Sequence, residues 1–210
     1  MSALEVKRSN RQQDRAIALL KQRGMVRLAE FRAKGVTAAT ISRLERGGAV
    51  VRLGRGVYQL PDAAVDAHHV LAEASKRVPK GVICLVSALA FHDLTDQIPA
   101  RVWMAIGPKA WRPRIEYPPI RFVRFPKERL ENGVEFRVID GVKVPIFGVA
   151  KTVADVFRYR RVLGTTLAIE GLREALRKKK ATPAEISKQA VEAGMWTAMQ
   201  PYLEALTLDG

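Results

Sequence analysis

A chain of 210 residues, 48% of them hydrophobic, can fill one large core or two modest ones and is too apolar to stay disordered. Its 36 Lys and Arg against 21 Asp and Glu leave a net charge of +15. That favours a polyanionic partner without choosing between DNA, RNA and an anionic membrane surface. The single cysteine excludes an internal disulfide and a cysteine-based zinc knuckle, and no run approaches the ~18–20 apolar residues of a membrane span.

The first fifteen residues, MSALEVKRSNRQQDR, are polar and basic and lack the apolar centre of a signal peptide, so a cytoplasmic location is expected. Residues 1–13 read as a flexible basic arm. Its Lys7, Arg8 and Arg11 would touch DNA backbone or minor groove, although a plain disordered tail explains them equally well. Residues 14–61 are the clearest stretch. Apolar spacing predicts a helix over residues 14–23, with Ala16, Leu19 and Leu20 inward, and a second over residues 28–34, ended by Gly35. A third segment runs from Thr37 to Arg46. Then comes VVRLGRGVYQL, two β-rich runs around Gly54-Arg55-Gly56. Three short helices and a hairpin give the order of a winged helix-turn-helix, whose third helix enters the DNA major groove.

The third segment separates by face. Thr37 suits an N-cap, Ile41 and Leu44 share an inward side, and Ala39, Ser42, Arg43 and Arg46 fall opposite. A recognition helix needs an apolar side to hold it and a small, basic side to approach bases and phosphates. The candidate DNA-binding residues are therefore Thr37, Ala39, Ser42, Arg43 and Arg46 on the helix and Arg52 and Arg55 on the wing. The competing reading is a solvated basic helix on an ordinary α+β domain. The order of elements, the basic wing and the charge distribution together favour DNA, although the charge alone would also suit RNA or an anionic membrane. Residues 1–65 carry thirteen Lys/Arg against five Asp/Glu, or +8, while the other 145 carry twenty-three against sixteen, or +7.

Pro61 closes the wing. Residues 62–78 read as a connecting helix with Val65, Val70, Leu71 and Ala74 inward. His68 and His69 are adjacent, which places them on different sides of a helix. A metal pair prefers i, i+4 spacing, so they read as surface or hinge residues and no metal site is expected. A second domain follows over residues 79–210. VICLVSALAFHDL, which contains Cys84 and His92, reads as a hydrophobic helix. VWMAIG and IRFVRF read as strands separated by the Pro- and Arg-rich loop PKAWRPRIEYPP. VEFRVIDGVKVPIF reads as a hairpin turning at Asp140-Gly141. GVAKTVADVFRYR is amphipathic, with Val149, Val153, Val156 and Phe157 on one side. A helix over residues 163–180, a helix capped by Thr182 with Pro183 in its first turn, and a final helix in WTAMQPYLEAL complete the chain. The expected fold class is α+β: an N-terminal winged helix-turn-helix, then a C-terminal α+β domain with a small, mainly antiparallel sheet and several helices.

Several stretches together carry a family pattern: SRLERGGAVVRLGRGVYQLP, GVICLVSALAFHDLTDQIPARVWMAI, RPRIEYPPIRFVRF, GVAKTVADVFRYR and LREALRKKKAT. Through them the chain resembles the AbiEi-type antitoxins of type IV toxin–antitoxin systems, which serve in phage defence. The resemblance implies a winged helix-turn-helix that binds inverted repeats in its own promoter as an autorepressor. It also implies a C-terminal domain that counters a nucleotidyltransferase toxin without a stable complex, and a monomer in solution that binds paired repeats cooperatively. It carries no residue-level pattern for antitoxicity.

No P-loop, GxSxG, HExxH or CxxC occurs. Asp140 and Lys143 are separated by two residues where a metal-dependent nuclease motif needs one, and Glu5-Val6-Lys7 has that spacing only within the basic N-terminal segment. Cys84 lies in an apolar run, a poor place for a thiolate. Asp155 and Glu170 fall on predicted helices, where a solvated face or ion pair is the usual role. No catalytic residue, cofactor or metal is expected. Two other readings stay open: a stand-alone winged-helix regulator whose C-terminal domain senses a ligand or binds a partner, and an RNA-binding or nuclease-like enzyme.

Overall fold

The apolar spacing of the first segments is translated directly into packing. The computed structural model describes residues 3–63 and 66–208, with side chains from Asn10 onward. Helix α1 (Ala3–Arg23) buries Ala16, Leu19 and Leu20. After it come β1 (Val26–Arg27), α2 (Leu28–Ala33), α3 (Ala38–Arg46), β2 (Val51–Gly54) and β3 (Val57–Gln59). The three strands form an antiparallel sheet in the order β1-β3-β2. Phe31, Ile41, Val50 and Tyr58 join the α1 residues in one core, with the Phe31 and Tyr58 rings edge to face at 6.1 Å.

Two features differ from the sequence expectation here. The segment read as an arm is helical from Ala3 onward. Its polar residues carry no apolar period, but Glu, Lys, Arg and Gln are good helix formers. Arg11 is exposed, and the side chains of Lys7 and Arg8 lie outside the described residues. Strand β1 was not anticipated. Two residues are too short for a pattern, and the register Val26↔Tyr58 comes from pairing with the wing.

The expected helix over 62–78 is confined to α4 (His69–Arg77). An aspartate turn stops it: Asp66 Oδ1 accepts from the His68 amide at 2.7 Å, while the Asp66 amide donates to Asp140 Oδ1 at 2.9 Å. Leu71 and Ala74 are buried and Val70 is half-buried, while Val65 lies outside the described residues.

Beyond α4 the elements are β4 (Val82–Ile83), α5 (Leu85–Phe91), β5 (Val102–Ile106), β6 (Ile120–Arg124), α6 (Lys127–Glu131), β7 (Val134–Ile139) and β8 (Val142–Phe147). Then follow α7 (Val149–Arg158), α8 (Arg160–Leu163), α9 (Thr165–Arg177), α10 (Pro183–Glu192) and α11 (Trp196–Leu208). The α+β class holds. The larger sheet has the order β6-β5-β4-β8-β7 and is mixed: β4 runs antiparallel to β5 but parallel to β8, and β5 runs parallel to β6. A parallel pair needs a crossover, which residues 107–119 supply without a helix.

The run VICLVSALAFHDL divides into β4 and α5. A short apolar run fits a buried strand as well as a helix, and Val82 and Ile83 find backbone partners on β5. His92 is a core histidine whose Nε2 donates to the Phe147 carbonyl at 2.9 Å. The expected helix over 163–180 starts after Gly164, whose φ of +96° only glycine tolerates easily, and ends at Arg177. Thr182 caps α10 through a reciprocal pair with Glu185. Val153, Val156 and Phe157 of α7 are buried, with Val149 packed at the edge of the same core.

The chain divides into two compact units. The first is Met1–Pro79 with Arg137–Val144; the second is Lys80–Phe136 with Pro145–Gly210. The Asp140-Gly141 turn between β7 and β8 thus belongs with the helix-turn-helix. In that unit, His69 Nδ1 lies 2.6 Å from Asp140 Oδ2, within hydrogen-bond distance.

Candidate nucleic-acid interface

Helix α3 has two chemically distinct sides. Thr40, Ile41 and Leu44 are buried, while Ala39, Ser42, Arg43 and Arg46 are exposed. The division follows from the 3.6-residue period: the inward residues recur at three- and four-residue steps and leave the basic positions outward. Arg46 Nε donates to the Ser42 carbonyl at 3.3 Å, which lays its side chain along the helix. Thr37 is exposed at the helix start. Its hydroxyl accepts from the Thr40 amide at 3.3 Å, the expected N-cap geometry.

Sequence reasoning missed what holds this cap. Gln12 Oε1 accepts from the Thr37 amide at 3.1 Å and the Thr40 hydroxyl at 2.7 Å, and lies 3.1 Å from the Thr37 hydroxyl. One amide side chain on α1 thus fixes the N-terminus of α3, the end from which a recognition helix reads bases. Gln12 gave no signal because it sits in a polar run without period. Replacing it by alanine strips the Thr37 amide and the Thr40 hydroxyl of their acceptor and is expected to cost ~1–2 kcal/mol. Gln12→Glu, which keeps an acceptor, is expected to cost less. Urea titration of the full chain checks both; equal losses would show that the accepting oxygen does not matter.

The wing is the β2–β3 hairpin with Arg55-Gly56 at its turn and a register irregularity between Arg52 and Gly54. Arg52 and Arg55 are exposed, and Arg52 Nε donates to the Gly54 carbonyl at 3.2 Å. The wing is braced from below by Arg77 of α4. Its Nη2 donates to the Leu53 carbonyl at 3.0 Å, and it pairs with the buried Glu73 at 2.5 Å. A Cβ on Gly54 would come within 2.0 Å of Arg77 Nη2, so this glycine makes room for the guanidinium.

A further ion cluster joins α1, α2 and α4. Glu30 Oε2 accepts from the Arg27 amide at 2.8 Å and lies 3.0 Å from Lys76 Nζ, while its Oε1 meets Arg23 at 3.1 Å. Burial pushes the Glu30 carboxyl up, but these donors outweigh it and hold the group below its usual value. All seven sequence-derived candidates thus occur on α3, its cap or the wing, and all are exposed.

Residues 14–61 match the family model described as a transcriptional regulator, AbiEi antitoxin. The chain carries an AbiEi-type antitoxin regulator domain. The match ends at Pro61, the residue that closes the wing, so the AbiEi-type domain comprises the helix-turn-helix and its hairpin. Over most of its length the chain is similar to the crystal structure of the RV2827C protein from Mycobacterium tuberculosis. The TM-score is 0.56 at 14% identity, over 92% of this chain and 80% of that one. At that identity the likeness establishes a shared fold. No curated protein matches the sequence.

Beyond the AbiEi-type domain, the second unit buries a charged cluster. Of the two roles expected of Asp155, a solvated face or an ion pair, the ion pair holds, and it is buried: Asp155 is 1% exposed. Arg129 donates to its Oδ1, and Lys151 Nζ lies 3.1 Å from its Oδ2. Burial raises the Asp155 carboxyl above the usual aspartate value against the pull of both cations, and burial lowers the Lys151 ammonium. Burial also pushes the Cys84 thiol well up, which keeps it protonated and unreactive. Among the described residues no three His, Cys, Asp or Glu side chains gather as metal ligands, and no helix is long and apolar enough to cross a membrane. The AbiEi antitoxin regulators are not an enzyme family.

Proposed function

We propose that the protein represses its own operon by seating α3 in the major groove of an inverted promoter repeat, and that it counteracts a nucleotidyltransferase toxin without forming a stable complex. In this reading it is the cytoplasmic antitoxin of a type IV phage-defence system, a monomer that binds paired repeats cooperatively and performs no catalysis. The observation that carries the DNA part is the division of α3 into a buried Thr40/Ile41/Leu44 side and an exposed Ala39/Ser42/Arg43/Arg46 side, beside a basic wing. The AbiEi-type domain supports the antitoxin part.

The roles of the two basic positions separate in a binding titration. Arg43 faces the groove, so Arg43→Ala is expected to cost ~1–3 kcal/mol at the operator and to relax base discrimination. Arg55 at the wing turn meets phosphate. Arg55→Ala is expected to weaken all sequences about equally and to lower the salt slope by about one unit. Equal effects of both changes on random duplex would overturn the assignment. Co-expression with a nucleotidyltransferase toxin encoded in the same operon, which this reading requires, tests the second activity. An Arg43→Ala/Arg46→Ala double variant, folded and equally abundant, is expected to derepress a promoter reporter yet still protect growth. A double variant that fails to protect would show that neutralisation needs the DNA-binding face.

A further inference from the structure

The crossover between β5 and β6 carries chemistry that the AbiEi-type domain does not use. Within residues 107–119, Trp111 is 79% exposed and Tyr117 is 56% exposed, whereas the neighbouring Trp103 of β5 is buried. Lys109, Arg112 and Arg114 are exposed around these rings. From Arg101 to Lys127 the sequence places seven Lys/Arg against one acid, Glu116, a local charge of +6.

The loop is also restrained. Arg124 of β6 donates to the carbonyls of Gly107 and Pro108 at one end. At the other, Pro118 is buried and the Pro119 carbonyl accepts from the Val102 amide at 2.8 Å. Pro108, Pro113, Pro118 and Pro119 further limit the backbone, so less freedom is lost when the loop orders on a partner.

We infer that this loop is a second nucleic-acid contact, one that takes unpaired nucleotides. The Trp111 ring supplies a face on which a base stacks, and Arg112 and Arg114 beside it neutralise the flanking phosphates. Aromatic faces interleaved with guanidiniums match alternating bases and phosphates of a single strand. An intact duplex keeps its base faces sealed in the stack. A bilayer calls for a broader apolar surface: apart from the two rings, the exposed positions of this loop are Pro, Lys, Arg and Glu.

The test uses the full chain carrying Arg43→Ala and Arg46→Ala, so that failure of operator recognition and failure of this inference are read separately. Labelled single strands of deoxythymidine and of uridine, about twelve nucleotides long, are titrated while tryptophan emission is followed. Binding with quenching is expected. Trp111→Ala is expected to weaken it about tenfold, and Trp111→Phe to keep most of the affinity while removing most of the quenching. Arg112→Ala is expected to lower the salt slope by about one unit or slightly less. A preference for either strand type supports the inference and names its source. Unchanged affinity in Trp111→Ala, duplex binding as tight as single-strand binding, or binding only to vesicles of phosphatidylglycerol and phosphatidylcholine would overturn it. Urea midpoints equal to the parent's show that each variant is folded.

Discussion

Replacing Asp155 by alanine is expected to lower the stability of the second unit by ~3–5 kcal/mol. The carboxylate is costly where it stands, since burial raises its pKa despite two adjacent cations. Its removal is costlier, because Lys151 is 5% exposed and would lose its anion without reaching water. Packing and charge are told apart by Asp155→Leu with Lys151→Met. Two apolar side chains of similar volume are expected to recover most of the loss. The pH profile adds an independent sign. A raised folded pKa means that the native state holds the proton more tightly, so this group's contribution is full below 3.8 and declines as pH rises through the folded value. That decline is expected to vanish in Asp155→Ala. A urea midpoint unchanged from the parent would show that the cluster contributes nothing.

Gly24→Ala is expected to be comparably damaging to the first unit. Gly24 has φ +63°, which alone costs an alanine ~1–2 kcal/mol. Its Cβ would also stand 1.7 Å from the Asp140 carbonyl oxygen, a backbone atom that cannot swing aside. Asp140 would have to move, straining its bonds to His69 and the Asp66 amide. Gly48 is the control: φ is +73°, but nothing lies within 4 Å of its Cβ position. Gly48→Ala should therefore show the backbone cost alone, and Gly24→Ala clearly more. Equal midpoint shifts in urea would mean that the close approach of the two turns adds no stability.

What could be read from the sequence was whatever repeats along it. The division of α3 into faces was legible because Ile41 and Leu44 recur at helical spacing, and the wing because β-rich residues flank Gly54-Arg55-Gly56. The α+β class and the inward side of α7 were legible on the same grounds. What escaped depended on partners distant in sequence. Gln12 acts on Thr37 and Thr40 from another helix. Strand β1 exists because the wing pairs with it. The burial of the Asp155 ion pairs was not legible because a helix with Lys, Thr and Asp normally shows one side to water. Yet α5, α9 and α10 all pack on α7, and Lys151 through Phe157 are buried without interruption. The mixed sheet was hidden for a similar reason: a hairpin turn advertises antiparallel pairing, whereas nothing local marks β5 and β6 as parallel.

The division of the chain into units has a consequence for the order in which the protein is made. The first unit takes its last eight residues, Arg137–Val144, from beyond Lys80–Phe136, a segment of the second. During translation the helix-turn-helix therefore emerges well before the turn that packs on Gly24. Chain elongation at ~5–20 residues per second puts several seconds between the two. A nascent chain stalled within that interval would display α3 on a unit still lacking one of its supports. Emergence of Arg137–Val144, rather than emergence of the helix, then sets the moment at which the first unit has all its supports.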